Sequence, residues 1–167
     1  MSQRTNGLNK TALIAIISSS VALFDYITKK IIVTKVLLYE SINVLPFLNI
    51  VYVENRGAAF SILSNLGNKY FIGISVIAII VIILYLAKLS RGLELYALSL
   101  ILGGAVGNLI DRIRAGKVID FIDIYVGKWH WPAFNVADSA LTVGIIFFLV
   151  ASIKHGKVVQ ENSHNEH

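Results

Sequence analysis

The sequence contains no cysteine. That excludes disulfides, thiolate chemistry and cysteine-based metal sites, and it leaves the redox compartment open. Charge is scarce as well: 15% of residues are charged, against roughly 25% in a soluble domain. Repeats, low-complexity tracts and linkers are also missing. What is abundant is apolar: 56% of the 167 residues are hydrophobic, and the mean hydropathy is +0.70. This composition excludes a disordered chain, a coiled coil and a collagen-like fibre. A soluble fold of this length has too little interior to hide so much apolar surface. We therefore expect a single-domain integral membrane protein, spanning residues 1–167.

The net charge is +5. No basic cluster stands on a polar face, so no nucleic-acid partner is expected; attraction to the anionic headgroups of membrane lipids explains the sign. Of the four histidines, His155, His164 and His167 sit in a polar C-terminal stretch and read as solvated rather than metal-bound, leaving only His130 within the body of the chain.

About 20 predominantly apolar residues cross a bilayer, within a range of roughly 17–25. Four uncharged runs approach that length: 11–24, 70–87, 95–110 and 139–153. Only 70–87 suffices by itself, and the others need a few polar residues at one end. The expected helices are about 11–33, 70–88, 95–113 and 136–154, followed by a polar, frayed tail at 155–167. Asp25, Asp111 and Asp138 then each lie near one end of a helix. The first run follows Arg4 and Lys10, as a secretory signal would. No small-residue cleavage site follows it, however, and three more apolar runs do, so it reads as a retained helix. Four spans put both termini on one side and the loops 39–69 and 113–135 on the other. The terminal side carries Arg4, Lys10, Lys88, Arg91, Lys154 and Lys157, and the loop side carries the other nine basic residues over longer loops. The positive-inside rule therefore assigns no orientation.

The first loop holds a short strand candidate at 47–53, after Pro46. The second, at 118–134, mixes β-branched and aromatic residues with Gly127 and Pro132. Trp129 and Trp131 suit the headgroup level, where indoles are enriched. A small sheet on the membrane surface is expected.

All five aspartates, Asp25, Asp111, Asp120, Asp123 and Asp138, sit in or beside apolar runs. Carboxylates at membrane depth are expensive, and by default they read as functional. Asp25 and Lys29 have the i, i+4 spacing of a helical ion pair, which suits either a neutralised helix end or a chemical role. Asn108, Asp111 and Arg112 share a helix end, just after the small-residue spacing Gly103 and Gly107. They form either the polar end of a packing seam or a substrate contact. Asp138 fits an N-cap or first-turn acid, with Asn135 as an alternative cap. In an extended segment, Asp120 and Ile122 share one face and Asp123 takes the other. If Asp138 faces Asp120, the two carboxyls share a proton, and one can activate water while the other polarises a carbonyl.

Five motifs are specific enough to suggest a family. They are Asp25-x-x-x-Lys29, Asn55-Arg56-Gly57-Ala58-Ala59-Phe60, Gly107-Asn108-Leu109-Ile110-Asp111-Arg112, Val118-Ile119-Asp120-Phe121 and Phe134-Asn135-Val136-Ala137-Asp138-Ser139. In order and spacing they resemble the motifs of bacterial lipoprotein signal peptidase, the type II signal peptidase. The resemblance implies an α-helical integral membrane protein with four transmembrane helices and a small extracytoplasmic β-cradle. It also implies an aspartic endopeptidase of the bacterial plasma (inner) membrane, with cytoplasmic termini. Such an enzyme removes the signal peptide from diacylglyceryl-modified prolipoproteins, cutting just before the lipidated cysteine. The catalytic pair then falls on Asp120 and Asp138. Asn55, Arg56, Asn108, Asp111, Arg112, Asn135, Asp25 and Lys29 match substrate-binding or supporting positions. The expected partners are lipid-modified prolipoproteins and membrane lipids, the expected state is a monomer, and no cofactor or metal is implied. Tyr26 departs from the glutamine common in the family, and Asp123 is not carried over as catalytic. A competing reading is a non-enzymatic membrane protein with a carboxylate-lined proton or cation path. It would spread acids through the membrane depth.

Overall fold

The computed structural model describes residues 2–57, 67–89 and 92–164, with side chains at 9–57, 67–89 and 92–154. Ala58, Ala59 and Phe60 of the second motif lie outside the described residues, as do the side chains of His155, His164 and His167. The elements are α1 (Ser2–Lys35), β1 (Ser41–Leu45), β2 (Leu48–Asn55), α2 (Asn68–Lys88), α3 (Leu93–Ala115), β3 (Val118–Val126), β4 (Trp129–His130) and α4 (Val136–His164). Among the described residues, four helical segments are long and apolar enough to cross a membrane: Asn9–Lys35, Asn68–Lys88, Leu93–Ala115 and Val136–Lys154. They match the four expected spans, with two differences. First, α1 begins at Ser2 and ends at Lys35, two residues beyond its expected end. Second, α4 continues as helix to His164, through much of the stretch expected to fray.

The central helix is α3, which packs against α1, α2 and α4. Small residues make this possible, because lipid supplies no hydrophobic drive between helices and close backbone packing must do the work. A Cβ at Gly103 would lie 2.8 Å from Ser18 O of α1, and one at Gly107 would lie 2.9 Å from Asp25 Oδ2. A Cβ at Gly104 would meet Ala137 O of α4 at 2.4 Å. Gly104→Ala is therefore expected to lower stability by about 1–3 kcal/mol by prising α3 from α4. Thermal unfolding in detergent measures this, and an unchanged unfolding temperature would contradict the seam. By contrast, α2 exposes Ile74, Ile77, Ile80, Val81 and Leu84, as a helix solvated by lipid does.

The two expected surface loops meet in one antiparallel sheet of order β1-β2-β3-β4. Strand β2 takes in all but Phe47 of the expected 47–53 segment, whereas β1 has no counterpart in the sequence reading. All five β1 positions are exposed, so no alternation marks it. The sheet rests on the last turns of α1, where Ile32 and Val36 pack with Ile119 and Phe121. Trp129 and Trp131 are both exposed at the β3–β4 hairpin and just beyond it.

Candidate active site

The start of α4 is tied to β3 through the backbone. Ile122 N–H donates to Phe134 O at 2.8 Å, and Phe134 N–H donates to Ile122 O at 3.0 Å. Asn135 then caps α4: its Oδ1 accepts from Asp138 N–H at 2.9 Å, the usual N-cap bond. The cap alternative considered for Asn135 is the one realised. Its amide group is left to donate to Asp120 Oδ1 at 2.7 Å. One fully buried asparagine thus joins the Asp120 carboxyl to the Asp138 backbone.

Asn55 holds the other oxygen. Its Nδ2 donates to Asp120 Oδ2 at 2.9 Å, while its Oδ1 accepts from Gly57 N–H at 2.8 Å in a local turn. Gly57 adopts φ +106° and lies against Phe71, whose ring a Cβ there would strike at 2.1 Å. Arg112 stands over the same ring, 5.5 Å from its centroid. Asp138 is half-buried, and its Oδ1 accepts from Asn108 Nδ2 at 2.8 Å.

Beneath this pair lies a buried ion cluster. Lys29, 3% exposed, donates to Asp25 Oδ2 at 2.7 Å and Asn108 Oδ1 at 3.1 Å. It also lies 2.7 Å from Asp111 Oδ2, as an ion pair rather than an aligned hydrogen bond. Asp25 Oδ1 accepts from Ala137 N–H at 2.8 Å. An acid of α1 thus satisfies an orphan donor in the first turn of α4, where negative charge is favoured.

The structure therefore gathers Asn55, Asn108, Asn135, Asp120, Asp138, Asp25, Lys29 and Asp111 in one network, with Arg112 at its edge. Arg56 is not gathered. Its side chain is 76% exposed and turns to Glu54 at 3.8 Å. Glu54 also pairs with Lys117 across β2 and β3, a contact the sequence reading missed because only the strand register creates it. The Lys117 hydrogen bond holds the Glu54 carboxyl below its ordinary range. Asp123 faces the other side of the sheet, as the alternation requires. There it accepts from Asn49 Nδ2 at 2.8 Å and meets His130 Nδ1 at 2.9 Å. Among the described residues, no three His, Cys, Asp or Glu side chains gather as a metal site needs.

Burial is the main cause that pushes the Asp120 carboxyl from 3.8 up to about 6. The Asn55 hydrogen bond opposes it, and the Asp138 charge adds to it. The sign for stability follows. Between about pH 4 and pH 6 the folded state keeps a proton that the unfolded state releases, so stability falls as pH rises through that window. The whole loss is about 3 kcal/mol. Thermal unfolding between pH 4 and 7 checks this: Asp120→Asn should lack that part of the decline, and identical pH slopes for the two proteins would refute it.

An apolar groove of about 500 Å³ opens beside Asp138, lined by Ile124, Trp131, Phe134, Ser139, Thr142 and Val143. The Ser139 and Thr142 hydroxyls donate back to Asn135 O and Asp138 O. Its wall therefore offers little beyond apolar surface until it reaches the Asp138 carboxylate. The site as a whole pairs two carboxyls of different burial with amide donors that fix them, at the membrane-surface end of the bundle.

Comparison with known proteins identifies this arrangement. The family described as "Signal peptidase (SPase) II" matches residues 17–154. The chain belongs to that family. Among its relatives, the lipoprotein signal peptidase of Janthinobacterium sp. (strain Marseille) is 48% identical over 143 residues, covering 83% of this chain and 86% of the relative. That of Syntrophus aciditrophicus (strain SB) is 41% identical over 152 residues, covering 87% and 94%. A solved bacterial membrane enzyme aligns with a TM-score of 0.78 at 38% identity, covering 86% of this chain and 94% of that one. This signal peptidase II is thus a multi-pass bacterial membrane enzyme of the aspartic peptidase class. Its five aspartates gather towards one end of the bundle rather than along its depth, against a carboxylate-lined path.

Proposed function

We propose that Asp120 and Asp138 are the catalytic pair with which this peptidase removes signal peptides from prolipoproteins. The observation that carries the reading is the continuous amide network: Asn55 and Asn135 on Asp120, and Asn135 and Asn108 on Asp138. The deeper carboxyl, Asp120, whose burial favours the protonated form, is the proton donor, and the more open Asp138 is the base. Asp138 takes a proton from water, whose oxygen adds to the scissile carbonyl carbon. Asp120 gives its proton to the carbonyl oxygen, forming a gem-diol. In collapse, Asp138 returns its proton to the leaving nitrogen, Asp120 recovers one from a diol hydroxyl, and the C–N bond breaks.

The substrate is a diacylglyceryl-modified prolipoprotein cut before its lipidated cysteine. A lipid anchor confines the scissile bond to the membrane plane, which lowers the entropic cost of approach. The apolar groove beside Asp138 offers a bed for that substrate. The termini face the cytoplasm and the sheet lies outside, since a signal peptide's cleavage site emerges on the far face. The enzyme works as a monomer in the inner membrane among its lipids, with Arg56 free to reach a bound peptide from solvent and Arg112 supporting the pair.

The purified chain in neutral detergent, alone and in EDTA, is expected to cleave a lipidated precursor peptide and to leave its unlipidated form largely intact. Activity lost to EDTA and restored by Mg²⁺ or Zn²⁺ would overturn the two-carboxyl mechanism.

A further inference from the structure

Nine of the fifteen basic residues lie at the sheet end of the bundle, and four of them meet acids. Lys29 neutralises Asp25 and Asp111, Lys117 and Arg56 pair with Glu54, and Arg112 stands beside the catalytic acids. Lys30 and Arg114 do not fit that pattern. Both are exposed, neither makes an ion pair with an acid among the described residues, and both line one groove of about 470 Å³ between α1 and α3. Asp111, the acid that borders the groove, is already engaged by Lys29.

The groove also has chemistry at its wall. The Arg114 guanidinium lies 5.3 Å from the centroid of Tyr26. Val33, Ala115 and Ile119 supply apolar surface. The Thr34 hydroxyl is turned back to Lys30 O and Ile31 O, so it does not compete for a ligand. On the same helix, Leu23, Phe24 and Ile27 are exposed.

Depth favours a headgroup. The α1 span Asn9–Lys35 has 27 residues, roughly 40 Å of helix, which crosses the hydrocarbon core and headgroup layers together. Lys30 lies about 8 Å before the end of that span, at the boundary of the hydrocarbon core, from which a lysine side chain extends its ammonium into the headgroup layer. Complementing the helix dipole does not account for it, because that effect fades within the last turn, and Lys35 already occupies the last turn of α1.

We propose that the α1–α3 groove binds the phosphate headgroup of an anionic phospholipid, held by Lys30 and Arg114 with the Tyr26 ring alongside. Arginine provides a planar fork for phosphate oxygens and lysine a point charge. The acyl chains follow the apolar face of α1 into the bilayer. Occupancy ties α1 to α3 just outside the Lys29 cluster, so the lipid stabilises the fold. The site lies on different elements from the α4 groove and does not depend on the catalytic assignment.

The test uses the full chain in neutral detergent micelles, titrated with phosphatidylglycerol, phosphatidylcholine or inorganic phosphate while unfolding temperature and lipid binding are recorded. Phosphatidylglycerol should raise the unfolding temperature, and phosphatidylcholine should not. The K30Q/R114Q variant should bind phosphatidylglycerol about thirtyfold more weakly, and K30R should retain binding. The K69Q/K128Q variant removes the same charge elsewhere at this end and should bind like wild type. Equal weakening in both double variants, or equal stabilisation by phosphatidylcholine, would overturn the site. Stabilisation by inorganic phosphate as large as by phosphatidylglycerol would overturn the lipid assignment in favour of a soluble anion.

Discussion

Asp120→Asn and Asp138→Asn are each expected to slow cleavage by about a thousandfold or more, with the folded protein retained in the membrane. An amide in place of Asp120 cannot deliver the proton to the carbonyl oxygen. An amide in place of Asp138 cannot take one from water. Both substitutions are nearly isosteric, and the Asn135 cap bond uses the Asp138 backbone rather than its side chain. Loss of activity would therefore not reflect loss of the helix start. Asp123→Asn is the matched control on the opposite face of the same strand. It can still accept from Asn49 or His130, and activity within about tenfold of wild type is expected. Single-turnover cleavage of a lipidated precursor separates the three variants. An Asp138→Asn enzyme at wild-type rate would remove the proposed pair.

The largest loss of stability is expected from Lys29→Met, about 3–5 kcal/mol. Lys29 is 3% exposed, and its ammonium serves Asp25, Asp111 and Asn108 together. Removing it leaves two acids facing one another without a cation. Asp25 also holds the first turn of α4 through Ala137 N–H, so the damage should spread to the helix that carries Asp138. Asp111→Asn in the same background should recover part of the loss, because one of the stranded charges is gone. Thermal unfolding of the single and double variants measures the coupling. A Lys29→Met protein within about 1 kcal/mol of wild type would mean that the acids do not depend on this charge.

The same cluster shows what spacing along one helix leaves open. Arg112 was expected to lie with the site polar residues, and it does stand near the acids. But its guanidinium rests on the Phe71 ring, and the cation that pairs with the buried carboxylates is Lys29. Spacing along α3 favours Arg112, since it adjoins Asp111. Only the packing of α1 against α3 brings Lys29 across from another helix.

Much was legible before any tertiary structure. The uncharged run 70–87 predicted a span because a bilayer demands about that length of apolar helix. The alternation in 118–123 separated Asp120 from Asp123 because strand side chains have a period of two. Asn135 was readable as a helix cap, and Asp25 with Lys29 as an i, i+4 pair, because both depend on local geometry. The tertiary structure decided the rest. Strand β1 left no alternating signature, and its pairing with β2 supplies its identity. Asp25 became a cap for a helix more than a hundred residues away. Asp120 met the amide that also caps the helix carrying Asp138, through a backbone bridge between 122 and 134. Local periodicity dictates which face a residue takes, because neighbours along the chain share its backbone geometry. Which carboxyls share a network, and which one burial pushes upward, depends on contacts between distant segments that form only when the helices and sheet pack.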